Sequence, residues 1–240
     1  MKKSLVLILA LTLVLAFTAC GDSDAKPMTH AEYIAAALES EVVIEAYVQA
    51  HEAWWDNQIK VYAQDKDGAY FLYNMSCSEE DSKKLTPGTK IRVTGYKAEW
   101  SGEVEIIEGT FEIMSGSYIA TATDVTSLLG TDELINHQNE FVSFKGMTVE
   151  TYEKDGVSYD CAFVYNDDNS GDHDSNSDLY FNVSVNGQTY TFCVESYLCD
   201  NTTDVYKAVE NLKVGDVVDM EGFLYWYNGA NPHITSVTVK

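Results

Sequence analysis

Residues 85–96 read LTPGTKIRVTGY, and residues 212–223 read LKVGDVVDMEGF. The two stretches lie 127 positions apart and share a leucine, a turn glycine, alternating apolar residues and a second glycine. The alternation predicts a β-strand, and the second glycine predicts its end or a bend in it. The match continues into the aromatic-polar-Gly triplets at 100–102 and 227–229. We infer two copies of one β-rich unit; the alternative is two unrelated β-domains that use the same turn residues.

The same order of elements precedes both stretches. Each half begins with a helix-like segment, and in the first half Thr29 and Glu32 form a capping box. A strand, a hairpin and a second short helical pattern follow. These segments are 29–40, 41–50, 59–75 and 78–85 in the first half, and 131–137, 140–149, 180–194 and 203–212 in the second.

Three strands, a helix and two strands is the order of the OB-fold. We therefore predict a mainly β protein with two tandem OB-like five-stranded barrels, each preceded by a short helix. The predicted domains are 29–126 and 127–240, the second with an insertion at 152–178. Segment 109–129 contains two more strand-like runs, which either extend the first barrel or link the domains.

A family resemblance rests on residues 212–229, LKVGDVVDMEGFLYWYNG. This motif resembles the strand-4 to strand-5 region of OB modules that accompany extracellular bacterial nucleases and occur in surface lipoproteins of Gram-positive bacteria. The whole chain resembles the tandem OB-fold lipoproteins of that group. The resemblance implies the fold and a surface location, and its motif carries no catalytic residue.

The N-terminal segment predicts export. Lys2 and Lys3 precede an almost wholly apolar run at 5–15, which is typical of a secretory signal peptide and short for a membrane span. Thr18 and Ala19 before Cys20 resemble a bacterial lipobox. This implies a signal peptide at 1–19, lipid on Cys20, a polar tether at 20–28, and anchoring to the outer face of the bacterial cell membrane. The alternative is ordinary secretion with a free cysteine.

The charge disfavours one class of partner. The 240 residues include 15 Lys+Arg and 38 Asp+Glu, for a formal net charge of -23. Because affinity for phosphates comes mainly from Lys and Arg, this composition argues against a broad nucleic-acid surface. The hydrophobic share of 45% is enough to form a buried core.

Aromatic residues fall near the expected ligand cleft. OB-folds bind ligands on the face of strands 2 and 3, between the loops that join strands 1–2 and 4–5. In domain one these loops are 52–57 and 97–102, and they contain three tryptophans. Exposed aromatic rings there could stack on a sugar, a base or a peptide side chain; the alternative is that the tryptophans cap the barrel as core. The predicted ligand-binding residues are Trp54, Trp55, Tyr62, Tyr70, Trp100, Trp226 and Tyr227.

The acidic stretch at 167–178 is a candidate calcium site. Asp172, Asp174, Asn176 and Asp178 place oxygen atoms at alternate positions, as a hard cation prefers. The stretch lacks the glycine and the glutamate of an EF-hand, so a solvated acidic loop is the alternative.

Signals of catalysis are absent from the sequence. We find no HxH or HExxH pair for zinc and no GxSxG nucleophile elbow, so we predict neither an enzyme nor a resident cofactor. Cys77, Cys161, Cys193 and Cys199 permit disulfides, and Cys193 and Cys199 are close enough in sequence for a local bridge. The alternative is that Cys193, which lies in an apolar run, is a buried free thiol.

Together these observations predict a cell-surface lipoprotein that acts as a non-catalytic binding or adaptor module for a glycan or a small polar molecule. The alternatives are a single-stranded nucleic-acid-binding OB module and a protein-interaction or structural spacer.

Overall fold

A computed structural model describes residues 25–240, so the signal peptide and Cys20 lie outside the described residues. The first unit is a closed barrel with the strand order β1-β2-β3-β5-β4, which is the OB topology. Its elements are α1 (His30–Ala35), β1 (Glu41–His51), β2 (Gln58–Gln64), β3 (Ala69–Ser76), α2 (Glu79–Ser82), β4 (Thr89–Trp100) and β5 (Glu103–Ser117). The run after 109 therefore belongs to a 15-residue strand of the first barrel.

The second unit repeats this topology. Its elements are β6 (Thr123–Asp124), β7 (Phe141–Glu150), β8 (Glu153–Lys154), β9 (Val157–Ser158), β10 (Phe163–Tyr165), β11 (Leu179–Val185), β12 (Gln188–Val194), α3 (Asp204–Glu210), β13 (Val217–Phe223) and β14 (His233–Val239). Strand β7 pairs with both β11 and β13, which closes the ring β7-β11-β12-β14-β13. The protein is thus mainly β, with two five-stranded OB-like barrels, as the sequence predicts.

The helix starts follow their capping residues. The Thr29 hydroxyl accepts a hydrogen bond from the Glu32 N–H (3.2 Å), and the Glu32 carboxylate accepts one from the Thr29 N–H (2.7 Å). The corresponding segment of the second half, Asp132–His137, is a 3-10 helix without a side-chain cap. Its box position is taken by Leu134, which cannot accept a backbone N–H.

The second glycine of each repeat lets two strands approach closely. A Cβ on Gly222 would lie 2.2 Å from the His233 carbonyl oxygen, and one on Gly95 would lie 2.8 Å from the Ile107 carbonyl oxygen. The register of β13 with β14, and that of β4 with β5, shifts at the same places. The repeated glycine therefore marks a bulge at which only a residue without a side chain fits.

Each barrel encloses its own hydrophobic core, and a third cluster lies between the barrels. This third cluster is centred on Tyr62, Phe71 and Phe223 and also includes Ala50, Phe141, Leu198 and Tyr225. The insertion, which lies between β7 and β11, is attached to the second barrel by pairing of β10 with β11 and by a hydrogen bond of the Tyr206 hydroxyl to the Ser177 carbonyl (2.6 Å).

Two further details concern the tether and the cysteines. The tether predicted to run to residue 28 is docked at its end, because the Met28 N–H donates to the Val43 carbonyl (2.8 Å). The four cysteines of the described residues are free thiols. Cys193 and Cys199 do not form a disulfide. Phe192 and Val194 of β12 point into the core of the second barrel, where Cys199 also lies. Cys193, between them, points to the opposite face of the strand. None of the helices in residues 25–240 is long and apolar enough to cross a membrane.

Candidate ligand-binding groove

The second barrel covers much of the face on which OB-folds bind ligands. Tyr62 on β2 and Phe71 on β3 point outward from the first barrel, but both are buried by the third cluster. The Tyr62 ring stacks on Phe223, with centroids 4.3 Å apart and planes 10° apart. The Tyr62 hydroxyl is 2.9 Å from Nδ1 of His233. Burial lowers the pKa of His233 to about 3, so this imidazole is neutral at physiological pH.

The uncovered end of this face forms a groove between the barrels, with a cavity volume of about 360 Å³. Two aromatic side chains project beside it: Trp55 is 80% exposed and Tyr197 is 64% exposed. The groove is lined by Glu52, Ala53, Trp55, Gln58, Ile59, Lys60, Asn74 and Tyr197. All except Tyr197 come from the first barrel, so the groove requires both units.

The 1–2 loop turns two adjacent tryptophans in opposite directions. Asp56 and Asn57 adopt positive φ angles of 45° and 62°, and Trp55 and Gln58 exchange backbone hydrogen bonds across this turn (3.1 and 2.9 Å). Trp54 packs against the first core, and its indole N–H donates to the Cys77 carbonyl (2.8 Å). Trp54 therefore caps the barrel, and only Trp55 is available to a ligand.

Tyr197 is held in place by the backbone. The Ala53 N–H donates to the Tyr197 carbonyl oxygen (2.8 Å), which ties the turn after β12 to the 1–2 loop. The Glu195 carboxylate accepts from the Leu198 N–H (2.8 Å) and closes this turn from within. The backbone that carries Tyr197 is therefore fixed beside Trp55 before any ligand arrives.

The floor of the groove holds a balanced set of charges. The Lys60 ammonium lies 2.8 Å from the Glu52 carboxylate and over the rings of Tyr73 and Tyr197, at 5.7 and 5.9 Å. Burial would lower the pKa of Lys60, but the combined effect of Glu52, Glu195 and Tyr73 raises it. Burial raises the pKa of Glu52, and Lys60 opposes that rise. Burial, with the charges of Glu52 and Asp178, raises the pKa of Glu195 to about 8. The ammonium of Lys60 and the carboxylate of Glu52 offset each other's charge at 2.8 Å, and Glu195 is largely protonated at neutral pH.

The other predicted ligand-binding residues lie elsewhere. The expected 4–5 loop is a tight hairpin in which Trp100 pairs with Glu103, and Trp100 stacks on Tyr227 (5.1 Å, 29°) across the junction of the barrels. Trp226 packs against the second core. Tyr62 and Tyr70 are at most 1% exposed, so the expectation that they contact a ligand is wrong. Tyr197 is not among the residues predicted from the sequence. It reaches the groove only because the second barrel docks there, and the residues around it in the sequence do not indicate this.

The acidic stretch uses its oxygens within the fold. Carboxylate oxygens of Asp172 and Asp178 accept hydrogen bonds from the backbone N–H groups of Ser175 and Ser196 (2.7 and 2.8 Å). The side-chain Oδ1 of Asn176 accepts one from the backbone N–H of Asn201 (2.7 Å). Asp174 takes no part in these bonds. Between residues 25 and 240 no three His, Cys, Asp or Glu side chains are grouped to hold a metal ion. Calcium binding by this stretch stays a prediction.

Comparison with known proteins shows similarity in fold at a low level. No family model matches the sequence. No curated protein matches it either. Among solved structures, the p204 HINb domain aligns with a TM-score of 0.37 and 9% identity, covering 85% of this chain and 100% of that one.

Two further solved structures align similarly. The Ifi202 HINa domain in complex with double-stranded DNA has a TM-score of 0.35 and 11% identity over 84% of this chain and 98% of its own. A replication protein A heterotrimer bound to single-stranded DNA has a TM-score of 0.32 and 10% identity over 84% of this chain and 49% of its own. TM-scores this low carry no argument about function, which must be inferred from the groove itself. The chain is an OB-fold protein by its own strand order.

Proposed function

We propose that this protein is a non-catalytic binding module whose groove between the barrels takes a glycan or another neutral polar ligand. The observation that carries the proposal is the exposure of Trp55, 80% of whose surface faces solvent at the edge of a preformed groove. Tryptophan is usually largely buried, so a ring displayed beside a concave site indicates a contact surface.

The polar lining supports a neutral ligand. Gln58 and Asn74 line the groove, and each amide can donate and accept hydrogen bonds, which matches the hydroxyl groups of sugars. The Lys60–Glu52 pair adds one donor and one acceptor group of opposite charge. A sugar ring can place its C–H face on Trp55 or Tyr197 while its hydroxyl groups reach this polar floor.

Calorimetric titration of residues 25–240 with a panel of neutral oligosaccharides tests the proposal. We expect Trp55→Ala to weaken binding at least about tenfold, which is about 1.4 kcal/mol, and Tyr197→Ala to weaken it as well. Trp100→Ala is the matched control, because Trp100 is 54% exposed but stacks on Tyr227 outside the groove. Absence of binding to every glycan, or equal affinity in Trp55→Ala, would refute a glycan ligand.

Single-stranded nucleic acid is the second candidate. It is supported by the OB topology and by the same aromatic groove, because bases also stack on exposed rings. The groove opposes it: Lys60, the single Lys or Arg among its described lining residues, is already paired with Glu52. Titration with single-stranded oligonucleotides at low and high salt separates the candidates, since phosphate contacts give an affinity that falls steeply with salt. The third alternative, a spacer, predicts buried tryptophans and is disfavoured by the exposure of Trp55.

We also propose that the protein is exported and lipid-anchored through Cys20, on the sequence features of residues 1–20. The full-length chain, expressed in a bacterial host and labelled with a radioactive fatty acid, should incorporate the label and sediment with membranes. Cys20→Ala should lose both properties. Label retained by Cys20→Ala would place the lipid elsewhere.

A further inference from the structure

Glu103 occupies the junction between the two barrels. It is the first residue of β5 and is completely buried. Its Oε2 accepts hydrogen bonds from the Trp226 N–H (2.9 Å) and from the Gln138 side-chain amide (3.2 Å), both of which belong to the second domain. A carboxyl group of the first barrel thus accepts hydrogen bonds from two donors of the second barrel.

Two acceptor oxygens at this junction lack a donor. Oε1 of Glu103 and Oδ1 of Asn139 are buried and have no hydrogen-bond partner among the described residues. Asn139 lies at the same junction, because its side chain contacts the backbone of Val104, the residue after Glu103. Its Nδ2 already donates to the Val104 carbonyl (3.2 Å), which fixes Oδ1 as the atom left over. Buried acceptors without donors are destabilising, so an arrangement with two of them needs an explanation.

One proton satisfies both atoms. We propose that Glu103 is held as the neutral acid and that its O–H donates from Oε1 to Oδ1 of Asn139, completing the hydrogen-bonded joint between the barrels. Oε2 then keeps its two donors, Oε1 becomes a donor itself, and Asn139 makes a bond at each end of its amide. When base removes this proton, two acceptors face each other and a buried charge appears between the domains.

The surroundings favour the neutral acid. Burial raises the pKa of Glu103 to about 8, although the hydrogen bonds that it accepts from Trp226 and Gln138 act in the opposite direction. The titratable groups that face it are Glu105 on the same strand, Tyr33 on α1, Tyr62 on β2 and Tyr225 after β13. Burial raises the pKa of Glu105 to about 7, and it raises those of the three tyrosines as well. His233, which bonds Tyr62, is neutral, so these neighbours are neutral or negative and stabilise no charge on Glu103.

The protonation of Glu103 makes the docking of the two barrels depend on pH. The pKa of Glu103 is about 8 in the folded protein against an ordinary value of 4.5, so the folded state holds the proton more tightly than the unfolded one. The stabilisation is complete below the ordinary value and is lost as pH rises from there through about 8. If the barrels separate without unfolding, Glu103 reaches solvent and the same relation governs their docking. The joint between the barrels is therefore expected to weaken at alkaline pH.

A carbon-13 NMR titration of the side-chain carboxyl groups in unmodified residues 25–240 tests the protonation directly. The carboxyl resonance of Glu103 is assigned by through-bond correlation along its side chain. We expect the midpoint of its titration above pH 7. A midpoint close to the ordinary value of 4.5 would overturn the proposal.

A pair of variants tests the linkage. Glu103→Gln replaces the acid by an amide that can donate to Asn139 and still accept from Trp226, and Glu112→Gln removes an exposed carboxyl group from the same strand. The denaturant midpoint is measured from pH 5 to 9 for each protein. As pH rises, the midpoint of the unmodified protein should fall more than that of Glu103→Gln. The midpoint of Glu112→Gln should show the same pH dependence as that of the unmodified protein. A difference between unmodified protein and Glu103→Gln that stays constant over this range would overturn the linkage. If Glu103→Gln does not fold, the NMR titration alone decides.

Discussion

The ring of Tyr62 lies almost parallel to that of Phe223, with centroids 4.3 Å apart, and this stack joins β2 of the first barrel to β13 of the second. The contact covers the face on which an isolated OB barrel would bind its ligand. The two barrels therefore pack against each other, and the candidate ligand groove lies at the edge of their interface.

Loss of the Phe223 ring should destabilise the whole protein. Phe223 is 3% exposed, so Phe223→Ala is expected to lower the free energy of unfolding by about 3–5 kcal/mol through loss of burial and formation of a cavity. Urea denaturation followed by circular dichroism measures this. Trp55→Ala is the control, with a change expected within about 0.5 kcal/mol because its ring is exposed. A change below about 1 kcal/mol for Phe223→Ala would show that the interface contributes little.

Alanine at the second glycine of the repeat should disrupt the bulge. The added Cβ of Gly222→Ala would meet the His233 carbonyl at 2.2 Å, a contact that only a backbone shift can relieve. We expect a loss of about 1–3 kcal/mol, with reduced protection from hydrogen exchange in β13 and β14. Glu221→Ala, at the neighbouring position, loses a 3.7 Å surface contact with Lys145 and should be nearly neutral. Equal stabilities of the two variants would contradict the role assigned to the glycine.

The buried imidazole should make the protein sensitive to acid. Because burial depresses the pKa of His233 from 6.5 to about 3, the unfolded state binds a proton that the folded state does not. The stability that this group contributes is present above pH 6.5 and is lost as pH falls toward 3. His233→Gln keeps a hydrogen-bonding partner for Tyr62 and removes the titration, so its stability should fall less between pH 6.5 and 4. The pH dependence of the urea midpoint tests this, and parallel curves for the two proteins would contradict it.

The end of α1 should depend on Lys97. The ammonium of this buried lysine donates to the carbonyls of Tyr33 (3.0 Å), Ile34 (2.7 Å) and Ala36 (2.9 Å). Lys97→Met preserves the alkyl chain but leaves these carbonyls without their donor, and we expect a loss of about 1–3 kcal/mol. Lys83→Met removes an exposed i,i+4 pair with Glu79 and should cost less than about 0.5 kcal/mol. Thermal unfolding of both variants checks the contrast, and equal melting temperatures would remove the role given to Lys97.

Local signals in the chain predict most of the fold. The capping box at Thr29 and the paired glycines at 95 and 222 act over a few residues, and the structure has a helix start and two strand bulges where they indicate. The order of these elements then leaves the OB topology as the simplest way to close each barrel. The 4–5 connection was predicted less well, because a tight hairpin and a short loop have nearly the same sequence.

The candidate site was predicted only in part. Trp54 and Trp55 are adjacent and chemically identical, and the sequence could not say which one packs inward against the Cys77 carbonyl. Tyr62 and Tyr70 are on the expected strands but are buried, one by the second barrel and the other by the first core. Tyr197 lies 142 positions from Trp55 and becomes its neighbour across the groove only through docking of the barrels.

The sequence by itself determined the two barrels, because strand alternation, turn glycines and capping residues are local properties that a repeat at a constant spacing makes visible twice. Only the tertiary structure decided what lies between the barrels: the Tyr62–Phe223 stack, the joint at Glu103, and the groove that both units share. These features depend on which side chains of two separately patterned units come into contact. Such contacts are set by shape and burial across the interface and leave no periodic trace in either half of the chain.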